Sequence, residues 1–462
     1  MTSFKCISPA DDSVVVEREY MDGSQVDSTL ELSSSAQLKW STMPISERMK
    51  IVERAVDAFV ALKSEIADEI SVQMGRPRDV TPFEINGFEE RARHMLEIAA
   101  SSLVDVEPAA KPGFVRRIQR EPLGVVFVIA PWNYPYLTAV NAIVPALLAG
   151  NSVVLKHSVQ TPLCAERLMA AFEQAGMPAG VFQYIHISHG ETERVIGSGR
   201  VNFVAFTGSV AGGKMVERAA SGRFIGTGLE LGGKDPAYIR HDAHLQNAIE
   251  TVADGAFFNS GQSCCGIERV YVHKSVFDDV VDGVCAIARA HKLGDPRIEG
   301  TTLGPMVKAS AADFVRDQIL QATGSGAVAH IDEHAFDRSR TGSAYLAPQV
   351  LTGVDHTMRV MTEESFGPVI GIMSVEGDAQ AIELMNDSDF GLTACVFTED
   401  LEAAVDIGNQ VQTGTWFMNR CDYLDPALAW TGVKNSGRGC TLSSIGFEHM
   451  TRPKSFHLRT EW

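Results

Sequence analysis

Between residues 124 and 207, short apolar runs alternate with longer stretches of helical character, and this pattern most constrains the fold. Gly124-Val125-Val126-Phe127-Val128-Ile129-Ala130 is apolar at every position without alternation, which predicts a strand buried on both faces. Ser152-Val153-Val154-Leu155-Lys156, Val181-Phe182-Gln183-Tyr184-Ile185 and Val201–Thr207 repeat the pattern, with helical stretches near 137–149 and 163–175. Strand and helix at this interval predict βαβ units and a parallel sheet. The alternation resumes over 268–430, predicting a second α/β domain.

With 462 residues, the chain exceeds what one core ordinarily serves, so two or three domains are expected. A formal charge of −18 argues against electrostatic binding to nucleic acid or to an anionic membrane. No apolar stretch approaches the ~20 residues a membrane span needs, and Met1-Thr2-Ser3-Phe4-Lys5 opens no signal-peptide apolar run. The eight cysteines (6, 164, 264, 265, 285, 395, 421 and 440) show neither CxxC nor zinc-site spacing. No metal is expected, and a reducing, cytoplasmic location is. Residues 1–35 read as a short strand and loop. A helix opens at Ser46 with Met49, Val52, Val56 and Phe59 on one face, and another covers 82–104.

The turns between these elements hold the chemistry. Pro131-Trp132-Asn133-Tyr134-Pro135 is a stiff loop at the C-terminal end of a strand, where open α/β sheets place ligands. Gly208-Ser209-Val210-Ala211-Gly212-Gly213-Lys214 joins a strand to a helix, and glycines there let backbone approach a phosphate at the helix N-terminus. Leu229-Glu230-Leu231-Gly232-Gly233-Lys234-Asp235-Pro236 offers one carboxylate ahead of a glycine pair, followed by helical sequence to about 256. Gly261-Gln262-Ser263-Cys264 sets a thiol after a tight turn whose N–H groups face whatever the thiol attacks. Glu364-Ser365-Phe366-Gly367-Pro368 places a carboxylate and an aromatic before a rigid turn.

Taken in order over nearly the whole chain, these six stretches, with Leu155-Lys156 among them, resemble the NAD(P)-dependent aldehyde dehydrogenase superfamily. The short length and Leu155-Lys156-His157-Ser158 look closest to the bacterial succinate-semialdehyde type. The resemblance implies a Rossmann-type cofactor domain (1–112 and 122–231), an α/β catalytic domain (232–448) and oligomerisation strands (113–121 and 449–462). It also implies that Cys264 attacks an aldehyde to form a thiohemiacetal that expels hydride and leaves a thioester. Asn133 and the Cys264 N–H resemble the oxyanion donors, and Glu230 the base that activates water for hydrolysis. Lys156, Ser158, Trp132, Gly208, Ser209, Gly213, Glu364 and Phe366 are placed like cofactor contacts. Tyr134 and Arg420 are placed like substrate contacts, an ion pair from Arg420 to Asp422 or Asp425 being the alternative.

Three residues after Lys156, where many NAD-linked members carry glutamate, this chain has Val159. NAD is the first expectation and NADP the alternative. Two other readings stand beside the main one: a CoA-acylating dehydrogenase, and a non-catalytic binding protein on the same fold. The charged strands at 113–121 and 453–459 predict a homodimer or homotetramer, because an unpaired edge invites a second copy.

Overall fold

The structure is a computed structural model and describes residues 3–462. Among these residues two large sheets dominate. The first has six strands, in the order Gly437–Arg438, Gly226–Glu230, Phe203–Thr207, Val125–Ala130, Ser152–His157 and Phe182–Tyr184. All but the Gly437–Arg438 edge run parallel. Val125–Ala130 sits centrally and is buried at every residue, as its unbroken apolar run requires. The second sheet has seven strands, with Ile267–His273 between Asp235–Ile239 and Val369–Val375. It too is parallel apart from an edge strand at Val328–Ala329.

Several expectations need correction. The short strand expected near the N-terminus is Ser3–Ile7, but it pairs with a second strand, Val14–Glu19, and a helix spans Gly23–Thr42 in place of the expected loop. Its buried stripe, Val26, Leu30, Ser33, Gln37 and Trp40, contains two polar residues, which weakened the helical period. Asp22 and Gln25 form a capping box that marks its start. The stretch after Pro236 is not helical at once, because Asp235–Ile239 first forms a central strand of the second sheet. The end of the segment expected in the second domain crosses back: Gly437–Arg438 pairs with Leu229 and Glu230, and the Ser443–His449 helix packs on the Pro82–Ser102 and Pro135–Ala149 helices. The strands expected at an interface, Phe114–Pro122 and Thr451–Arg459, pair with each other as an antiparallel ribbon within this chain.

The helix Pro82–Ser102 lies against Pro135–Ala149, and a glycine sets their approach. A Cβ at Gly87 would stand 2.5 Å from the Leu137 side chain. Arg91, one turn further along, thereby reaches the Leu137 carbonyl.

Candidate active site

Cys264 follows three consecutive residues with left-handed backbone, Asn259 (φ 53°), Ser260 (φ 56°) and Gly261 (φ 69°). Such a turn costs energy at non-glycine positions and persists only where its surroundings hold it. Here they do. Asn259 donates to the carbonyls of Asn133 and Gln262, the Gln262 side chain accepts from the Val307 N–H, and Ser260 donates to the Gly304 carbonyl. Gly261 has no alternative, since a Cβ there would lie 2.2 Å from the Gly367 carbonyl oxygen.

The Asn133 amide donates to the Gln262 carbonyl at 3.2 Å, which brings it to the loop that carries the thiol. Beneath it, Arg76 is wholly buried and donates to the Asn133 carbonyl, to Asn259 and to Glu84. Glu84 in turn accepts the N–H groups of Tyr136 and Leu137, tying the start of the Pro135–Ala149 helix to the same cluster.

Of the two adjacent thiols only one is placed to react. Cys264 is half-buried, whereas Cys265 is buried and donates to Asp422 at 2.7 Å. The Cys264 sulfur, burial and the Asp422 carboxylate together push the Cys265 thiol well above its usual range. A thiol so held stays protonated and is a poor nucleophile. Burial pushes Asp422 itself up to about 7.

A cavity of about 450 Å³ opens onto Cys264, and Glu230, Arg91, Tyr134 and Asp422 share its wall. Phe83, Phe258, Tyr423 and Trp430 add apolar surface. Glu230 ends the strand Gly226–Glu230, accepts from Thr441 at 2.6 Å and from Thr207 at 3.4 Å, and is raised from its usual value by burial. A carboxylate so raised is suited to take a proton. Glu230 also borders a second cavity of about 20 Å³, room for about one water.

Tyr134 lies in the main cavity with its ring 4.6 Å from the Arg76 guanidinium. Arg420 does not join it. That side chain is exposed and stacks on the Tyr423 ring at 4.0 Å, making no ion pair with Asp422 or Asp425, and it lies off the cavity wall. The left-handed backbone of Asn419 and Asp422 on either side turns the segment so that Asp422 points inward instead.

The residues expected to hold a dinucleotide gather at the strand ends. Lys156, on Ser152–His157, is buried and drawn down to about 8 by that burial, and its Nζ has no acceptor among the described residues. His157 beside it is held neutral, its value depressed to about 4 chiefly by burial. Its Nε2 donates to the Pro135 carbonyl while Nδ1 accepts the Ser158 N–H. Ser209 caps the helix Val210–Ala220, accepting from the Gly212 N–H at 3.2 Å. Gly213 packs against Leu231, where a Cβ would approach to 2.7 Å, and Gly208 meets the Phe206 ring. Glu364 accepts the Gly233 N–H, and burial followed by the charge of Glu268 raises it to about 8. Trp132 meets Phe366 edge to face at 5.7 Å. An uncompensated ammonium, a capped helix N-terminus and a buried carboxyl together suit the ribose hydroxyls and pyrophosphate of a dinucleotide.

Sequence reading missed Arg76, Glu84, Arg91, Asn259 and Thr441. Asn259 stands in the Gly261 turn itself and Thr441 just past Gly437 and Gly439, but their partners lie far along the chain, and Arg76, Glu84 and Arg91 show themselves only by burial. Among the described residues no group of His, Cys, Asp and Glu side chains could hold a metal, and no helix is long and apolar enough to cross a membrane.

The family model described as "Aldehyde dehydrogenase family" matches residues 1–456. The vanillin dehydrogenase of Corynebacterium glutamicum is 32% identical over 94% of this chain and 89% of its own. The succinate semialdehyde dehydrogenase [NAD(P)+] of Escherichia coli is 29% identical over 99% of this chain and 97% of its own. The crystal structure of succinic semialdehyde dehydrogenase from Streptococcus pyogenes, in complex with NADP+, superposes with a TM-score of 0.94 at 26% identity, covering 99% of this chain and all (100%) of that one. Matched by that family model over residues 1–456, the chain belongs to the aldehyde dehydrogenase family and is an NAD(P)-dependent enzyme of it.

Proposed function

We propose that the chain oxidises an aldehyde to the carboxylic acid through covalent chemistry at Cys264, with Glu230 as the base and Asn133 as an oxyanion donor. The supporting observation is one cavity wall that carries both the half-buried Cys264 and the burial-raised Glu230, with the Asn133 amide against the nucleophile's loop. The Cys264 thiolate adds to the aldehyde carbon, and the oxygen takes up charge beside the Asn133 amide and the Cys264 N–H. NAD(P)+ supplies the acceptor for the expelled hydride. Cys264 then holds a thioester, Glu230 takes a proton from water, the hydroxide attacks, and the acid departs as the thiolate is restored. A base on the cavity wall suits water, rather than CoA, as the acyl acceptor.

Residues 1–112 and 122–231, with the returning edge strand, serve the cofactor, and 232–448 supply the nucleophile. NAD is the first expectation, with NADP the alternative. Val106 bridges Ile118 on the outer side of Phe114–Pro122, and the charged Thr451–Arg459 edge on the other side of the ribbon suits a homodimer or homotetramer. Eight unbridged cysteines suit a reducing, cytoplasmic location.

Glu230→Gln tests the reading. Single-turnover mixing is expected to give a burst of reduced cofactor at near the wild-type amplitude, while steady-state turnover falls by roughly 10²–10⁴-fold. Turnover at the wild-type rate would remove Glu230 as the base, and loss of the burst as well would place its role before hydride transfer. Acyl-CoA in place of free acid would overturn hydrolysis.

A further inference from the structure

Two arginines line the main cavity, and they are used differently. Arg76 is consumed by Glu84, Asn259 and the Asn133 carbonyl. Arg91 is also buried, yet among the described residues no carboxylate lies within ion-pair distance of it. Its Nη1 donates to the Leu137 carbonyl at 2.6 Å and to Asn141 Oδ1 at 3.3 Å. Its Nε and Nη2 have no acceptor among the described residues, although neither is sealed from the cavity. A buried guanidinium without an anionic partner is held at a cost to the fold. Desolvation lowers its pKa, opposed first by the field of Glu84 and then by that of Glu230.

The acidic residues on the same wall are largely engaged. Glu84 is bound by Arg76 and two backbone N–H groups, and Glu230 by two threonines. Glu90 accepts the Tyr423 hydroxyl and Asp422 the Cys265 thiol, while Asp254 is raised by burial. Arg91 is therefore the cation on this wall with directed donors to spare. A planar fork with one nitrogen anchored and two N–H directions open suits a carboxylate.

We infer that Arg91 is a specificity-determining residue that receives the distal carboxylate of a semialdehyde whose carbonyl lies at Cys264. This rests on Cys264 being the nucleophile. Arg420, the candidate from sequence, lies outside the cavity, and Arg91 takes the part expected of it. The anchor on Leu137 and Asn141 fixes the guanidinium before substrate arrives, so its ordering adds little to the cost of binding.

The test compares kcat/KM for two pairs that differ by a carboxylate: succinate semialdehyde with butanal, and 4-carboxybenzaldehyde with benzaldehyde. In each pair the chemistry at Cys264 is common and cancels in the ratio, as does any effect of Arg91 on Glu230. The wild type is expected to favour the carboxylated member of at least one pair by roughly 10–100-fold. Arg91→Gln is expected to remove most of that preference. Asn141→Asp keeps the buried arginine and gives it an internal partner, and is expected to lower the same ratio should Arg91→Gln fail to fold. Absence of a carboxylate preference in the wild type overturns the inference, as does a ratio unchanged in the folded variants. Failure of every aldehyde to turn over would instead overturn the proposed reaction.

Discussion

Thr441 donates a 2.6 Å hydrogen bond to Oε1 of Glu230 across 211 positions of chain. It gets there because Gly437–Arg438 adds to the sheet edge beside Leu229 and Glu230, and the chain then turns back over the carboxylate. The hydroxyl stabilises the ionised form and so opposes the burial that raises Glu230. Thr441→Val removes that donor, which moves the pKa further up. As the proposed base, Glu230 must be ionised to act, so the acidic limb of the deacylation rate should shift to higher pH. A charge-assisted bond of about 1.5–3 kcal/mol corresponds to about 1–2 pH units. Pre-steady-state pH profiles measure it, and a limb that stays in place would show that Thr441 does not tune the base.

The two adjacent cysteines should separate cleanly. Cys264→Ala is expected to abolish oxidation while dinucleotide still binds, as followed by fluorescence titration. Cys265→Ala removes only a thiol already committed to Asp422, and should keep turnover within about tenfold of wild type. Comparable loss in both variants would mean that Cys265 takes part in the chemistry.

Val159 follows the strand of Lys156 and is 37% exposed, so a longer charged side chain meets no packing obstacle there. Val159→Glu should move preference from NADP toward NAD, because its carboxylate opposes a 2′-phosphate and can accept from ribose hydroxyls. About 1–3 kcal/mol of discrimination is expected. The ratio of kcat/KM for the two cofactors measures it, and an unchanged ratio would place residue 159 away from the ribose.

Lys234 and Glu268 form a fully buried ion pair, and Glu268 also accepts the N–H groups of Ser365 and Phe366. Glu268→Ala leaves the ammonium without its counter-charge and the Glu364–Phe366 loop without its clamp. A loss of about 3–5 kcal/mol in urea denaturation is expected, together with a raised KM for the dinucleotide. A loss below about 1 kcal/mol would mean that Lys234 finds another partner.

The buried strands and close backbone approaches around Lys156 and Glu364 were legible because they are built from local patterns. An apolar run such as Val125–Ala130 announces a doubly buried strand wherever it lands. A glycine pair such as Gly232-Gly233 announces close approach, here of Glu364 and of the Cys264 carbonyl oxygen. The Gly23–Thr42 helix escaped because its buried stripe includes Ser33 and Gln37, whose polarity hid the period.

Local patterns along the chain dictate the parallel α/β architecture, the turn that presents Cys264 and the carboxylate at the end of its strand. Each depends on neighbours within a few residues, through backbone sterics and side-chain periodicity. Long-range packing selects which arginine enters the cavity, which thiol is held by Asp422 and which hydroxyl meets Glu230. Arg91 and Arg420 are chemically equal as letters, and only the packing of Gly87 on Leu137 and the left-handed turn at Asn419 send one inward and the other to solvent. Burial and partner distance belong to the folded chain, and those two quantities set the charge that each side chain carries.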